Sequence, residues 1–370
     1  MQIIEFASGT LRFLDTLPQR PPADGCVWIY LDREALPGEL PKLQEAVQRL
    51  GGSALLDLHV QDLENAAHPS HYDYTSIYDR VVFRRLATSN EVDAELNLEV
   101  RPAATAASDT LAAFQRIRTR AVAFVVFDRL LVTVHPSGCF TARSFIQRYL
   151  ADAVQADGAV VITRSRLPTG PSDLMLRMAN VMVDSYLELR KQLSNDMDRW
   201  QEELLRPGAD SANWSALVVA RAELHNLEDL CEEQNDAMQE WLDTAQEQPP
   251  AALGQAERDG LVARARDVIE HIQRGVQQVR RMEQAAETAV QIHFSAQSHR
   301  TNGIMRTLTA LTAIFLPLNL ITGFFGMNFE FLPLLHSAPA MWAVLATMLA
   351  VAVTVVLVVW RKRYLARTGR

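Results

Sequence analysis

The residues that say most about chemistry lie toward the C-terminus, in two long apolar stretches nearly free of charge. Between Arg306 and Arg361 the one residue charged at neutral pH is Glu330, with His336 taken as neutral. The first stretch, residues 307–327, nevertheless carries Thr307, Thr309, Thr312, Pro317, Asn319, Thr322 and Gly323. Polar groups at membrane depth are costly unless they face protein or water. Asn302, Met305, Leu308, Thr312, Leu316, Asn319 and Gly323 follow one another in steps of three or four, which puts them on one helical face. A face of small, polar and unbranched residues suits a pore with hydrophobic constrictions and amide rings. One helix cannot enclose a pore, but several copies around an axis can, so this face requires a homo-oligomer. Directly after the stretch stand Gly326, Met327 and Asn328, then Phe329 and Glu330.

These residues need a membrane to act in. The second stretch, residues 340–360, is Ala-, Val- and Leu-rich around its whole circumference, as lipid exposure demands. Each stretch has about the twenty residues a helix needs to cross a bilayer. Arg300 and Arg306 precede the first, and Arg361, Lys362, Arg363, Arg367 and Arg370 follow the second, while the loop between has no Lys or Arg. Positive flanks stay inside, so both termini are expected in the cytoplasm and the loop outside. Trp342 and Trp360 fall near the two interfaces, where indole rings prefer to lie.

In front of this hairpin lies a body of ordinary composition. The chain has 370 residues, 48% of them hydrophobic, and 44 acids against 36 Lys and Arg. The acidic balance argues against nucleic acid, whose binding rests on phosphate neutralisation. Cys26, Cys139 and Cys231 are scattered and form no CxxC pair, which fits reduced thiols rather than a disulfide frame or zinc knuckle. The opening MQIIEFASGTLRFLD holds acids and no long apolar run, so no signal peptide is expected.

The first half alternates β-like runs with turns: IIEF at Ile3, VWIYLD at Val27, ALLDLHV at Ala54, YDRVVFRRL at Tyr78 and AFVVFDRLLVTVH at Ala123. Helical patterns such as LPKLQEAVQRL lie between them, so the expected class is α+β, an α/β or α+β sandwich. After Pro168, Gly170 and Pro171 the pattern becomes long helices. Met175, Met178, Met182, Tyr186, Leu189, Leu193, Met197, Trp200 and Leu204 form a stripe that reads as core rather than a metal box. A second helix is expected over about 214–244, closed by Pro249 and Pro250. From about Glu257 no proline occurs until Pro317, so one helix is expected to run from the body into the membrane. Leu261, Ala265, Val268, Ile272, Val279, Met282, Ala286 and His293 give it a bundle seam, with Gly275 at one seam position. His68-Pro69-Ser70-His71 has ligand types, but nothing completes a tetrahedral set at recognised spacing. No phosphate loop, nucleophile elbow or dinucleotide glycine pattern occurs, so no enzyme is expected, and transport is passive or ion-coupled rather than ATP-driven.

The string TNGIMRTLTALTAIFLPLNLITGFFGMNFEFLP resembles the pore-helix signature of the CorA superfamily of divalent-cation transporters, which includes magnesium channels and ZntB-type zinc transporters. RDVIEHIQR and SHRTN are similar to that family's stalk, LLDLHVQDLENAAHPSHYDYTSIYDRVVFRRL and FDRLLVTVH to its N-terminal domain, and RKRYL to its C-terminus. The resemblance implies a homopentameric funnel with an N-terminal α/β/α sandwich, a long helical stalk and two C-terminal membrane helices. The corresponding division is 1–168 for the cytoplasmic α/β domain, 169–306 for the helical region and stalk, and 307–327 for the pore helix. The outer loop follows at 328–339, the second membrane helix at 340–360 and the basic tail at 361–370.

The resemblance also implies a selectivity filter at Gly326, Met327 and Asn328, with the Asn328 amides ringing the outer mouth. Glu330 would draw cations toward it by field. Met305 and Leu308 would form a hydrophobic gate, and Asp267 matches a position where magnesium channels of the family hold regulatory metal. No resident cofactor is implied; Mg²⁺ or Zn²⁺ is cargo or regulator. The chain departs from the family at Phe325, often tyrosine, at Leu334, often an acid, and at Asn319, often threonine. These departures leave magnesium against zinc open, and His336 offers zinc a ligand. From the residues alone a second reading stands beside the transporter: a membrane-anchored coiled-coil signalling or scaffold protein.

Overall fold

The computed structural model describes residues 1–7, 10–87, 92, 114, 117–139, 145, 147, 154–156, 159–161, 167–205, 212–248, 253–327 and 338–361. The strands among them are β1 (Gln2–Ala7), β2 (Thr10–Leu14), β3 (Gly25–Asp32), β4 (His71–Tyr74) and β5 (Asp79–Leu86). They are followed by β6 (Thr119–Val126), β7 (Leu130–His135), β8 (Val154–Ala156) and β9 (Ala159–Val161). They join into one sheet in the order β4-β5-β6-β7-β3-β1-β2-β9-β8. Neighbours are antiparallel except β3 and β7, which run parallel with Val27 opposite Leu130.

The central strands are buried almost without interruption. All six residues of β7 are buried, as are Cys26 to Ile29 and Leu31 of β3. Unbroken burial means that both sheet faces are covered. On one face lie α1 (Leu36–Leu50) and α2 (Asp57–Glu64). Their Leu36, Leu43, Val47 and Leu63 share a core with Val27, Ile29, Val125 and Val132. On the other face α3 (Pro171–Leu205) packs on β3, β5, β6 and β7, while α4 (Ala212–Glu247) packs on β4 and β5. The result is an α/β/α sandwich. Each large aliphatic side chain it buries contributes about 1.5–3 kcal/mol. Trp28 is fully buried, and its indole N–H donates to the Thr133 hydroxyl at 2.8 Å, so the core strands no donor there.

Two sequence expectations change. ALLDLHV does not form a strand; its second half opens α2, where His59, Val60 and Leu63 are buried at helical spacing. The run is too short for its periodicity to decide, and Asp57 in the first turn favours a helix through the positive end of the peptide dipoles. AFVVFDRLLVTVH is not one strand but the hairpin β6–β7. It turns at Asp128 and Arg129, with the Phe127 N–H donating to the Leu130 carbonyl at 2.8 Å. Gly51 ends α1 where a Cβ would come within 2.6 Å of the Phe127 ring, so only glycine fits that approach.

The long helices follow the expected punctuation. Helix α3 begins at Pro171, and its Met175, Met178, Met182 and Met197 are all buried, as core. The Tyr186 hydroxyl donates to the Arg84 carbonyl at 3.2 Å and accepts from Gln234 at 2.7 Å, which ties α3 and α4 to β5. Helix α5 (Gln255–Phe325, 71 residues) is continuous and passes through Pro317. Its seam residues Leu261, Ala265, Val268, Ile272, Val279, Met282 and Ala286 are buried, joined by Ile269 and Val276, and His293 is half-buried. Helix α6 (Ala338–Arg361) completes the described elements. The chain divides into two compact units, residues 1–287 and 288–370, and the division falls inside α5.

Candidate functional site

In the second unit α5 and α6 are each long and apolar enough to cross a membrane and are almost wholly exposed within the chain. Burial along α5 is nonetheless one-sided. Ala310 is 7% exposed, and Gly303, Ile314, Pro317, Leu318, Ile321 and Phe325 are half-buried. By contrast Asn302, Met305, Leu308, Thr312, Leu316, Asn319 and Gly323 are all exposed, with Met305 and Leu308 at 56% and Leu316 at 69%. At about 100° per residue the centres of these two sets lie roughly 180° apart around the helix. The uncharged polar stripe is therefore opposite the shielded side.

The stripe has layers. Asn302 stands at one end and Asn319 one turn short of the other, roughly 25 Å apart by helical rise. Neither amide has a hydrogen-bond partner among the described residues, so both keep donors and acceptors for something outside the chain. Between them Met305, Leu308 and Leu316 are exposed apolar side chains. Thr312 donates its hydroxyl to the Leu308 carbonyl at 2.8 Å. Thr307, Thr309 and Thr322 likewise satisfy themselves on carbonyls one turn back. This habit removes the desolvation cost of a hydroxyl in an apolar setting.

At the far end the helix stops at Phe325. The Gly326 N–H donates to the Thr322 carbonyl at 2.8 Å, and the Met327 N–H to the Phe324 carbonyl at 3.4 Å. A Cβ on Gly326 would lie 2.9 Å from the Thr322 oxygen, so glycine permits this closure. Asn328 and Glu330 lie outside the described residues, as do Leu334 and His336.

Asp267 belongs to the first unit and has company that sequence reading did not supply. Its Oδ1 is 3.8 Å from Nε2 of His271, one turn on, and Nδ1 of that ring is 3.5 Å from Asp184 Oδ1 on α3. An imidazole between two half-exposed carboxylates is a set of groups that could hold a divalent ion. The spacing Asp267–His271 was the available signal; Asp184 comes from another helix and left none.

Other perturbed groups lie in the sandwich. Burial and the neighbouring Asp128 push the Asp79 carboxyl up to about 6. Burial, with Arg85 and Arg33 nearby, drives His135 down to about 3, so this ring is neutral in its stack on Tyr30. These groups belong to the core and its edge, not to the α5 stripe.

The described residues thus form an α/β/α sandwich ahead of long helices, ending in two apolar helices of which one bears an uncharged polar stripe. The sequence profile of the CorA-like Mg2+ transporter protein family matches residues 24–363, and the chain belongs to that family. Its sequence is 28% identical over 193 residues to the cobalt/magnesium transport protein CorA of Thermotoga maritima. That match covers 52% of this chain and 52% of the relative, so the chain spans about half the length of that protein. It is 44% identical over 61 residues to the putative metal ion transporter YfjQ of Bacillus subtilis, covering 16% of this chain and 19% of the other. Its fold is similar to the complete CorA magnesium transporter of Methanocaldococcus jannaschii, with a TM-score of 0.69 at 16% identity over 100% of this chain and 98% of that one. It is also similar to full-length CmaX, with a TM-score of 0.64 at 15% identity over 98% and 97% of the two chains.

Proposed function

We propose that this chain carries divalent metal cations across the cell's inner membrane, as a homopentamer whose pore is lined by α5. The observation that carries the reading is the stripe from Asn302 to Gly323, exposed, uncharged and opposite the shielded side of its helix. Copies of α5 gathered around an axis would turn this stripe inward and leave the bulky apolar flanks to lipid and to α6. A scaffold that merely needs a tether has no use for such a stripe.

The chemistry suits a hydrated ion. Mg²⁺ dehydrates reluctantly and tends to keep several waters. Waters of its shell donate hydrogen bonds to amide oxygens, so a ring of Asn328 side chains, with Gly326 and Met327 shaping the turn, admits the ion without stripping it. A carboxylate ring would hold it more tightly, and conduction needs sites an ion can leave. Glu330 raises the local cation concentration at the mouth. Asn319 forms a second amide level, Met305 and Leu308 form the narrow apolar gate, and Asn302 greets the ion on the inner side. The basic flanks at Arg300, Arg306 and Arg361 keep the sandwich and both termini in the cytoplasm. Asp267 serves a regulatory ion, with His271 beside it.

The name of the Thermotoga relative supports magnesium and cobalt as cargo, while the loop histidine keeps Zn²⁺ in view. The test is uptake into proteoliposomes of Mg²⁺, Zn²⁺, Co²⁺ and Ni²⁺ in turn, with and without a pH gradient. Flux is expected, and Asn328→Ala is expected to reduce it strongly. Flux indifferent to that substitution refutes the filter, and no flux of any ion refutes the transporter.

A further inference from the structure

Within the first unit, α4 and α5 lie against each other along a ladder of charged side chains. Arg280 Nε donates to Glu228 at 2.5 Å and Arg280 also pairs with Glu232, while Arg221 stands 3.8 Å from Glu283. Most rungs match a guanidinium with a carboxylate. One place differs: His225 and Glu228, three residues apart on α4, converge with Glu283 of α5. Their ligating atoms all lie within 4.8 Å of one another. His225 is exposed and the two glutamates are half-buried between the helices.

We propose that His225, Glu228 and Glu283 form a binding site for a transition-metal dication of the Zn²⁺, Co²⁺ or Ni²⁺ class, clamping α4 to α5. Imidazole nitrogen is a poor ligand for Mg²⁺ but a good one for these ions, and carboxylates complete the set. With bonds of about 2.0–2.2 Å, donors around a tetrahedral ion stand roughly 3.3–3.6 Å apart, so side-chain rotations that move each donor by about 1 Å close the present gap. A histidine and a glutamate three residues apart, facing a glutamate from the neighbouring helix, repeat the way helical bundles assemble dication sites. Asp229 Oδ2 lies 3.9 Å from His225 Nε2. At that distance it makes no hydrogen bond, but its charge adds to the negative field that favours a dication there. The guanidinium pairs do not block the site. Ion pairs between exposed side chains contribute little, and each carboxylate has a second oxygen. The remaining coordination positions fall to water.

This site is separate from Asp267 and contains no residue of the pore stripe. It deepens the transporter reading, on which it rests only for its consequence: a body that senses a transition metal apart from any magnesium it handles. The test is calorimetric titration of the full-length protein in detergent with Zn²⁺, in millimolar Mg²⁺ so that oxygen-only sites are filled, paired with the visible spectrum of bound Co²⁺. One Zn²⁺ equivalent per chain is expected to vanish, or to weaken about tenfold or more, in His225→Ala and in Glu283→Gln. The same equivalent is expected to survive His271→Ala. Unchanged stoichiometry and affinity in both His225→Ala and Glu283→Gln overturn the proposal, as does a zinc equivalent that depends on His271 alone. His225 is exposed, so its variant should keep the wild-type circular dichroism. Flux is measured separately, and its failure would refute transport while leaving the binding result intact.

Discussion

Gly275 offers the sharpest quantitative test of the helical body. It sits inside α5 at a seam position where every neighbouring turn supplies a buried side chain. Its absence of a side chain leaves a cavity of about 70 Å³ beside Tyr186, Leu193, Cys231, Val279 and Met282. A Cβ built at Gly275 would meet only the Cys231 sulfur, at 3.9 Å, an ordinary van der Waals contact. Gly275→Ala should therefore stabilise. Replacing glycine by alanine in a helix interior gains about 1 kcal/mol. Burying the methyl gains up to about 0.8 kcal/mol, roughly half of that at a half-buried position. The sum is about 1.4 kcal/mol, which raises the apparent Tm by about 2 °C in a chain of this size. Thermal unfolding followed by far-UV circular dichroism at a fixed detergent and protein concentration reads it. A Tm that stays put or falls would show that the position is not an open notch in a continuous helix, and the packing derived for α3, α4 and α5 would have to be redrawn.

Further perturbations probe the other layers. Leu308→Asn should wet the proposed apolar constriction and raise basal ion leak in proteoliposomes, whereas Leu311→Asn, exposed but more than 100° around the helix from the centre of the stripe, should not. Asp79→Asn should stabilise the sandwich near neutral pH by up to roughly 3 kcal/mol, since a carboxyl raised from 3.8 to about 6 is held there against its charge. The sign follows from linkage: the folded state binds the proton more tightly, so the advantage of the variant is full above about pH 6 and disappears as pH falls toward 3.8. Denaturant titrations of both proteins across that window check it. Thr133→Val strands the fully buried Trp28 N–H and should cost about 1–3 kcal/mol in the same assay.

What was legible in the sequence follows from the range of the forces involved. The α5 seam, the α3 methionine stripe and the two apolar helices are repeats along one element, and their residues are buried or exposed as the spacing requires. Strands β1, β3 and β5 carry enough consecutive apolar residues to declare themselves. Strand β4, HYDY, does not, because it is short and polar. In β2 only Leu11 is buried, so there is no alternation to see. α2 went unread because the pattern that defines it reaches Leu63, beyond the apolar run that drew attention. Sheet order depends on which strands meet across long stretches of chain, and no local pattern encodes the parallel union of β3 with β7. The stripe on α5 was visible as spacing, but its place opposite the shielded side needs a neighbour to define a side. The His271–Asp184 approach and the His225–Glu283 approach each join two helices, and only folding brings them together.

The parallel union of β3 with β7 has a consequence for biogenesis. Val27 must wait for Leu130, 103 residues later (130 − 27), before its ladder can form. At about 5–20 residues per second, the ribosome leaves β1, β2 and β3 as an unpaired hydrophobic edge for roughly 5–20 s. Throughout that interval neither α5 nor α6 has been made. An unpaired strand edge is an aggregation hazard, so a holdase that shields such edges should matter to this protein's yield while β3 waits for β7.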